Sequence, residues 1–279
     1  MADRHGELLA MLRTLKLPAM AAAFPDLALK AAKAGQTHEA FLYDLVQCEC
    51  VQRDERRIAR LLHRSGLPQE KTFATLDLAR FPLAIRQQIE RLQSGTFVAE
   101  AVNVIAVGRP GTGKSHLAAA LGHTLVVQGQ AVRWTTTAQL VQQLLAAKRD
   151  LRLPQALAQL DRFACLILDD IGYVQHDRDE MEVLFTLLAE RYERRSVVIT
   201  TNLVFSEWTR IFKDPMTTMA AIDRVVHHAV ILDLMSLESY RVKEANAHQG
   251  SRPNAATGHD PVRTSTQETA AVEQANRQV

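Results

Sequence analysis

Gly108-Arg109-Pro110-Gly111-Thr112-Gly113-Lys114-Ser115 stands between an apolar run, 102–107, and a helical pattern, 114–128. The octapeptide matches G-x-x-x-x-G-K-[ST], and a strand before it with a helix after it is the setting in which such a loop binds phosphate. The residue types follow from that task. Glycines let backbone N–H groups turn inward around phosphate oxygens, and the helix directs its positive end at the same anion. Lys114 is expected to hold the β- and γ-phosphates of a nucleotide, and Ser115 to ligate Mg2+. Gly108, Arg109, Pro110, Gly111, Thr112, Gly113 and His116 are expected to line the cradle. An ordinary glycine-rich turn before a helix is the alternative.

Outward from the loop, further apolar runs at 131–134, 165–168, 197–200 and 229–232 alternate with helical patterns at 137–148, 179–194 and 217–226. Alternating strands and helices specify an α/β fold, a parallel sheet covered on both faces. The strands read as continuous apolar runs, as doubly covered strands do. Two of them end in chemistry. Cys165-Leu166-Ile167-Leu168-Asp169-Asp170 carries two acids: Asp169 is expected to hold the metal and Asp170 to polarise the attacking water. Asp170 opening a turn with Gly172 is the alternative. Val197-Val198-Ile199-Thr200-Thr201-Asn202 ends in an amide. Asn202 can orient the water or touch the γ-phosphate if its strand lies between those of the loop and Asp169; otherwise it is a turn residue.

Farther along, Arg224 in Ala221-Ile222-Asp223-Arg224-Val225-Val226 is a candidate for a guanidinium supplied by a neighbouring subunit to a transferring phosphoryl group. By position alone a surface salt bridge is the better reading, since exposed arginines are common. Arg241, in Ser239-Tyr240-Arg241, is a second candidate, able to reach its own subunit's phosphates.

Residues 1–65 read as an all-α domain. Leu8, Leu12 and Leu15 recur at helical spacing, with pauses at Leu17-Pro18 and again near Phe24-Pro25. A second helix is expected over about 37–64, with Thr37 as N-cap and Ser65-Gly66-Leu67-Pro68 as its end. Arg53, Arg56, Arg57, Arg60 and Arg64 fall within about 60° of one meridian of that helix. Val51, Ile58 and Leu62 fall opposite. Five arginines against Asp54 and Glu55 make a local footprint for the phosphate backbone of double-stranded DNA. A solvated helix face is the alternative. No aromatic residue interleaves with the stripe, so stacking on single strands is unsupported. Residues 66–100 read as a connector with one short helix over 85–93, and 101–247 as the phosphate-loop domain. The tail, 248–279, is rich in Gln, Asn and Thr and is expected to be disordered.

Composition sets the outer bounds. The 279 residues are 47% apolar and 23% charged, as in ordinary globular proteins. The balance of 33 Lys+Arg against 31 Asp+Glu excludes a uniformly basic nucleic-acid coat. No apolar run approaches the roughly 20 residues of a membrane helix, and Arg13 and Lys16 break up the N-terminal leucines, so no signal peptide is read. Cys48, Cys50 and Cys165 make neither a disulfide framework nor a four-ligand zinc site. A cytoplasmic protein is expected.

Taken together, the motifs resemble the IstB-type ATP-binding helpers of transposition, related to DnaC helicase loaders within the AAA+ ATPases. The resemblance runs from about residue 8 to about residue 246. It rests on Pro18-Ala19-Met20, Lys71-Thr72-Phe73, the phosphate loop continued through Gly122, and Asp169-Asp170-Ile171-Gly172-Tyr173. It continues in Arg191-Tyr192-Glu193-Arg194, Phe205-Ser206-Glu207-Trp208, Asp223-Arg224-Val225-Val226-His227-His228 and Ser239-Tyr240-Arg241. The loop is generic; the later strings, in this order, are specific. The resemblance implies a P-loop NTPase core of AAA+ type with five strands, Asp169 as the second acidic motif and Asn202 as the first sensor. It implies Arg224 as a finger acting in trans, Arg241 as a sensor-two-like residue, and a single helix near 236–247 in place of a full lid. Many relatives carry Asp-Glu where this chain has Asp169-Asp170; the shorter acid implies slow hydrolysis, which suits a switch.

The implied function is an ATP-dependent DNA-binding accessory protein of an insertion sequence. It would assemble as a homo-oligomer on duplex DNA, with ATP between subunits, and assist a separate cognate transposase. A replicative helicase loader, a nucleotide or small-molecule kinase and a non-hydrolysing ATP-dependent scaffold are the rivals.

Overall fold

The strand runs read from the sequence pair into one parallel sheet. In the computed structural model, which describes residues 4–172, 178–204, 207 and 225–240, the strands are β1 (Asn103–Val107), β2 (Val132–Thr136), β3 (Cys165–Ile171), β4 (Ser196–Thr201) and β5 (Ala229–Asp233). Their order is β2-β3-β4-β1-β5, and every pairing is parallel. Because side chains alternate along a strand, the sheet feeds two apolar layers. Val104, Ala106, Cys165 and Ile167 face Leu117, Leu121 and Leu125 of α6 (Lys114–Val127). Ile105, Val107, Leu166 and Leu168 face Leu140 and Leu144 of α7 (Thr137–Arg149), together with Leu184 and Leu187 farther along.

The second layer also holds α8 (Leu153–Leu160), a helix absent from the sequence reading. Leu153, Ala156, Leu157 and Leu160 pack on that layer at offsets 0, 3, 4 and 7, a helical stripe that only eight residues make easy to overlook. The following helix, α9 (Arg178–Arg191), ends in a buried arginine. Arg191 donates to the carbonyls of Leu160, Phe163 and Ser196 at 3.0–3.1 Å, tying the end of α9 to α8 and β4. Burial brings its pKa down to about 10, which leaves it charged at neutral pH, and pushes the neighbouring Cys165 thiol up to about 12.

At the N-terminus lie α1 (Arg4–Thr14), α2 (Pro18–Ala34) and α3 (His38–Ser65). Thr37 caps α3 as expected, its hydroxyl accepting from Ala40 N at 3.2 Å. The pause expected at Phe24-Pro25 does not occur: α2 runs through Pro25. An interior proline costs about 3 kcal/mol. Met20 and Ala21 are buried with Leu12 and Leu45, and the Phe24 ring meets that of Phe41 on α3 at 6.2 Å. At roughly 1.5–3 kcal/mol per large buried side chain, this packing outweighs the lost bond. The far half of α3 joins the sheet instead, where Ile58, Leu61 and Leu62 pack on the first layer. Val51, expected on that inward face, is 46% exposed, because contact with the layer begins only beyond it.

The connector forms a 3-10 turn (Leu78–Arg80), α4 (Leu83–Gln93) and a short α5 (Thr96–Ala99). Leu67, Phe81, Ile89, Leu92 and Phe97 are buried in the first layer. Gly122 lets α6 lie between sheet and connector: a Cβ there would meet Ile167 Cδ1 and Leu67 Cδ2, both at 2.7 Å. The helix expected over 236–247 does not begin at 236. Residues 235–239 turn instead, with Leu237 N bonded to Leu234 O, and Tyr240 is the first helical residue. The 217–226 helix is described only from 225, and the 248–279 tail lies outside the described residues. No described helix is long and apolar enough to cross a membrane.

One buried acid organises the small N-terminal core. Glu49 on α3 accepts from the N–H groups of Ala19 (2.9 Å) and Met20 (3.3 Å), capping α2, and from Arg53 Nε at 2.9 Å. Burial alone would push its carboxyl up, but the Arg53 bond and the two backbone N–H groups hold it below the ordinary carboxylate range. The stability it lends is therefore complete above the pH at which free glutamate ionises, about 4.3, and is lost as pH falls through the lower native value. Glu49→Ala is expected to destabilise the α1–α3 cluster by about 1–3 kcal/mol, read by urea unfolding and by amide exchange in α2. An unchanged exchange pattern would refute the capping role.

Candidate functional site

The strand order puts the functional groups on neighbouring strand ends. β4 lies between β1 and β3, the condition under which Asn202 faces the loop. Val107 pairs with Thr201, and Gly108 N donates to Thr201 O at 3.1 Å. From there the chain closes on itself. Thr112 Oγ1 donates to Arg109 O at 2.9 Å, and the buried Lys114 Nζ donates to Gly108 O at 2.7 Å and Arg109 O at 2.9 Å. Gly108 must lack a side chain, since a Cβ would lie 2.8 Å from Thr112 Oγ1 and 2.9 Å from Leu234 Cβ. Gly111 and Gly113 hold the left-handed φ values of 83° and 95° that complete the turn. No side chain caps α6, whose first turn begins with Lys114, Ser115 and His116. Its leading N–H groups and dipole therefore remain available to an anion.

Asp169 is buried and Asp170 exposed at the end of β3. Thr200 on β4 links them: its hydroxyl donates to Asp169 Oδ1 at 2.6 Å and accepts from Asp170 N at 2.8 Å. The β3–β4 register slips between Leu168 and Ile171, and Asp170 adopts φ 65°. Partial burial raises the Asp170 pKa above the ordinary aspartate value, the Asp169 charge adds to the rise, and Lys114 opposes it. The carboxyl thus keeps its proton to a higher pH than a free aspartate. Asn202 is half-buried, and its Oδ1 is buried with no hydrogen-bond partner among the described residues. Such orphaned atoms call for a missing water or ligand. Lys114, Ser115, Asp169, Asp170 and Asn202 are thus gathered at one edge of the sheet; Arg224 and Arg241 lie outside the described residues.

The connector supplies a wall that sequence reasoning missed. A cleft of about 360 Å3 opens between Gly111–His116 and Lys71, Thr75, Leu76, Asp77, Arg80, Phe81 and Tyr240. His116 Nε2 lies 3.1 Å from Thr75 Oγ1 and 3.0 Å from Thr72 O. Arg80 stacks on the Tyr240 ring at 4.9 Å and donates to Glu238 O at 2.7 Å. Tyr240 N in turn donates to Gly111 O at 2.8 Å. Aromatic and aliphatic walls beside a phosphate loop suit a planar base. The one signal in the sequence was the Lys71-Thr72-Phe73 string, which carried no role.

The arginine stripe lies toward the other end of α6. The Arg57 guanidinium sits over Gly129, just past the C-terminus of α6. The loop is at the opposite end of that 14-residue helix, about 21 Å away. Arg56, Arg57, Arg60 and Arg64 are exposed along α3. Arg57 pairs with Asp54 at 3.5 Å, and Arg64 lies 6.0 Å over the Phe163 ring. Arg53 differs from the rest: its guanidinium is engaged by Glu49 and by Lys16 O at 2.8 Å. Its first task is to hold α3 against the α1–α2 corner.

The family model for IstB-like ATP binding proteins matches residues 10–248. The chain belongs to this family. It is 43% identical over 249 residues to an insertion sequence ATP-binding protein of Sinorhizobium fredii, covering 88% of this chain and 83% of that one. It is 36% identical over 238 residues to the IS21 ATP-binding protein of Pseudomonas aeruginosa, covering 85% and 89%. Among solved structures it is similar to DnaI, with 18% identity, TM-score 0.51 and coverage of 61% of this chain and 95% of that one. It is also similar to AMPPCP-bound DnaA from Aquifex aeolicus, with 13% identity, TM-score 0.52 and coverage of 70% and 58%. These last likenesses are of fold, the AAA+ type of P-loop fold.

Gly108→Ala tests the closed loop. The added methyl is expected to force Thr112 and Leu234 apart and to weaken Mg-ATP binding at least tenfold, read with a fluorescent nucleotide analogue. The melting temperature should fall as well, because Leu234 is fully buried in the first layer, so binding is compared at a temperature where the variant is folded.

Proposed function

We propose that this member of the family is an ATP-hydrolysing, DNA-binding accessory protein of an insertion sequence, working with a separate transposase. The observation that carries the reading is the cluster of buried Lys114 and Asp169, exposed Asp170 and half-buried Asn202, whose Oδ1 has no partner among the described residues, at adjacent strand ends. Lys114 leaves its carbonyl partners for the β- and γ-phosphates, the one exchange that keeps a buried ammonium satisfied. Ser115 and Asp169 offer the hard oxygen donors that suit Mg2+, which when bound neutralises charge on the phosphate oxygens. Thr200 fixes the Asp169 carboxylate. Asp170, turned out of the strand by its left-handed backbone, accepts the proton of the attacking water, which Asn202 helps to orient. Arg224 completes the site of a neighbouring subunit, and Arg241 contacts its own nucleotide. Asp170 is one methylene shorter than glutamate, so hydrolysis is slow and serves as a timer. Residues 1–65 carry the DNA-contacting face, 66–100 the nucleotide wall and 101–247 the ATPase.

In this reading ATP joins copies of the chain on duplex DNA, the assembly recruits the transposase, and hydrolysis releases it. Lys114→Ala is expected to abolish nucleotide binding and with it ATP-dependent assembly on DNA, by filter binding and light scattering. Asp170→Ala is expected to retain ATP binding and to trap the DNA-bound assembly. Turnover unaffected by DNA and by oligomer state, or a stable complex with a hexameric helicase, would refute the proposal.

The DNA face has its own test. Charge reversal at Arg56, Arg57 and Arg60 removes three exposed guanidinium groups without touching the Glu49–Arg53 pair. With about 0.9 of log–log slope per phosphate contact, the salt dependence of DNA binding is expected to flatten by about 2–3. An unchanged slope would remove α3 from the DNA surface.

A further inference from the structure

Parts of two of the specific sequence strings have no role in the nucleotide site, and the fold brings those parts together. Tyr192-Glu193-Arg194 forms the turn between α9 and β4, and His227-His228 closes the helical turn leading into β5. Tyr192 Oη stands 3.3 Å from His227 Nδ1, and Glu193 Oε1 stands 3.4 Å from His228 Nε2. The two imidazole centroids are 4.3 Å apart. One ligating atom from each of Glu193, His227 and His228 lies within 4.8 Å of the others, and all three residues are exposed. Among the described residues this is the one group of three His, Cys, Asp or Glu side chains so arranged.

We propose that Glu193, His227 and His228 bind a divalent transition-metal ion of the zinc class. Zinc takes imidazole nitrogen at about 2.0–2.1 Å and carboxylate oxygen at about 2.0–2.2 Å, so neighbouring ligand atoms of a tetrahedral site lie about 3.4 Å apart. The Glu193–His228 pair already has that spacing. The tyrosine hydroxyl on Nδ1 of His227 leaves Nε2 for the ion and fixes the ring, the part that outer hydrogen-bond partners play at metal sites. Two neutral imidazoles and one carboxylate leave the ion a fourth position. Glu193 also holds a left-handed backbone, φ 55°, that its side chain seldom permits, at the turn that sets its carboxylate beside His228.

The site is separate from the Mg2+ position. β4 and β5 begin beside it, whereas the phosphate loop and Asp169 stand at the strands' far ends, about 17 Å away for a five-residue strand. The ion would clip the turn after α9 to the turn before β5.

The test uses the untagged full-length protein, stripped with chelator and titrated with Co2+ by visible absorption and with Zn2+ by calorimetry. One equivalent is expected, with a nitrogen–oxygen cobalt spectrum and no thiolate charge-transfer band. His227→Ala, His228→Ala and Glu193→Gln are each expected to weaken binding at least tenfold, and Tyr192→Phe less so. Thermal melting and nucleotide binding check that these variants fold; where one does not, the wild-type cobalt spectrum and Tyr192→Phe decide. Absence of binding, binding unchanged in the double histidine variant, or a thiolate spectrum from Cys48 and Cys50 would overturn the proposal.

Discussion

The Lys114 ammonium is buried at the end of a parallel sheet, and much of the architecture answers to it. A cation taken from water must be met by oxygen atoms, and two loop carbonyls at 2.7 and 2.9 Å meet it. That ring closes only because Gly108 has no side chain and because Gly111 and Gly113 accept left-handed backbone. The ring is pinned from three sides: by β4 through Thr201, by α6 growing out of it, and by Tyr240 N on Gly111 O. The strand order then decides what faces the ammonium. With β4 inserted between β1 and β3, two acids and an amide stand across from it.

Much of this was legible in the chain. All five strands were readable as apolar runs, β1, β3 and β4 because they are buried on both faces, β2 and β5 although as edge strands they are only partly buried, and the N-cap of α3 because Thr37 satisfies an orphan N–H locally. What escaped depends on distant partners. The Glu49 cap on α2 spans 30 residues, so Arg53 could not be separated from its exposed neighbours on helical offsets alone. Pro25 signals a break, and only burial against α3 overrides it. The connector reads from the sequence as one short helix and no part of a site, because its contribution to the cleft comes from packing on α6, not from any local period. At Asp170 the sequence shows an acid ending a strand; the register slip that turns it outward is a property of the β3–β4 pairing.

The pairing of Thr200 with both acids places two chemically different carboxyls side by side. Asp169 is buried and accepts a hydroxyl at 2.6 Å; Asp170 is exposed and bonds through its backbone N–H. One threonine therefore separates a fixed donor suited to a cation from a solvent-facing base. The negative charge of Asp169 raises the basicity of Asp170, and Lys114 limits the rise. Removal of that ammonium from the carboxyl's surroundings would raise its proton affinity further, so the loop cation and the proposed base are electrostatically coupled.

The cleft and the arginine face lie at opposite ends of α6, yet the chain joins them by a short path. α3 is a rigid rod of 28 residues, about 42 Å long. It begins in the small N-terminal core, carries the exposed arginines and ends at Gly66, whose left-handed φ of 70° turns the chain into the connector. Leu67 is then buried against α6, and Lys71–Thr75 reaches His116 beside the phosphate loop. A base seated in the cleft would press on Leu76 and Phe81, in the same connector. Leu67 packs against Gly122 with no room for a methyl group, so the end of α3, the connector and α6 meet at one close contact beside Gly66. The exposed arginines and the wall of the cleft are therefore borne by consecutive stretches of chain, joined at one packed turn.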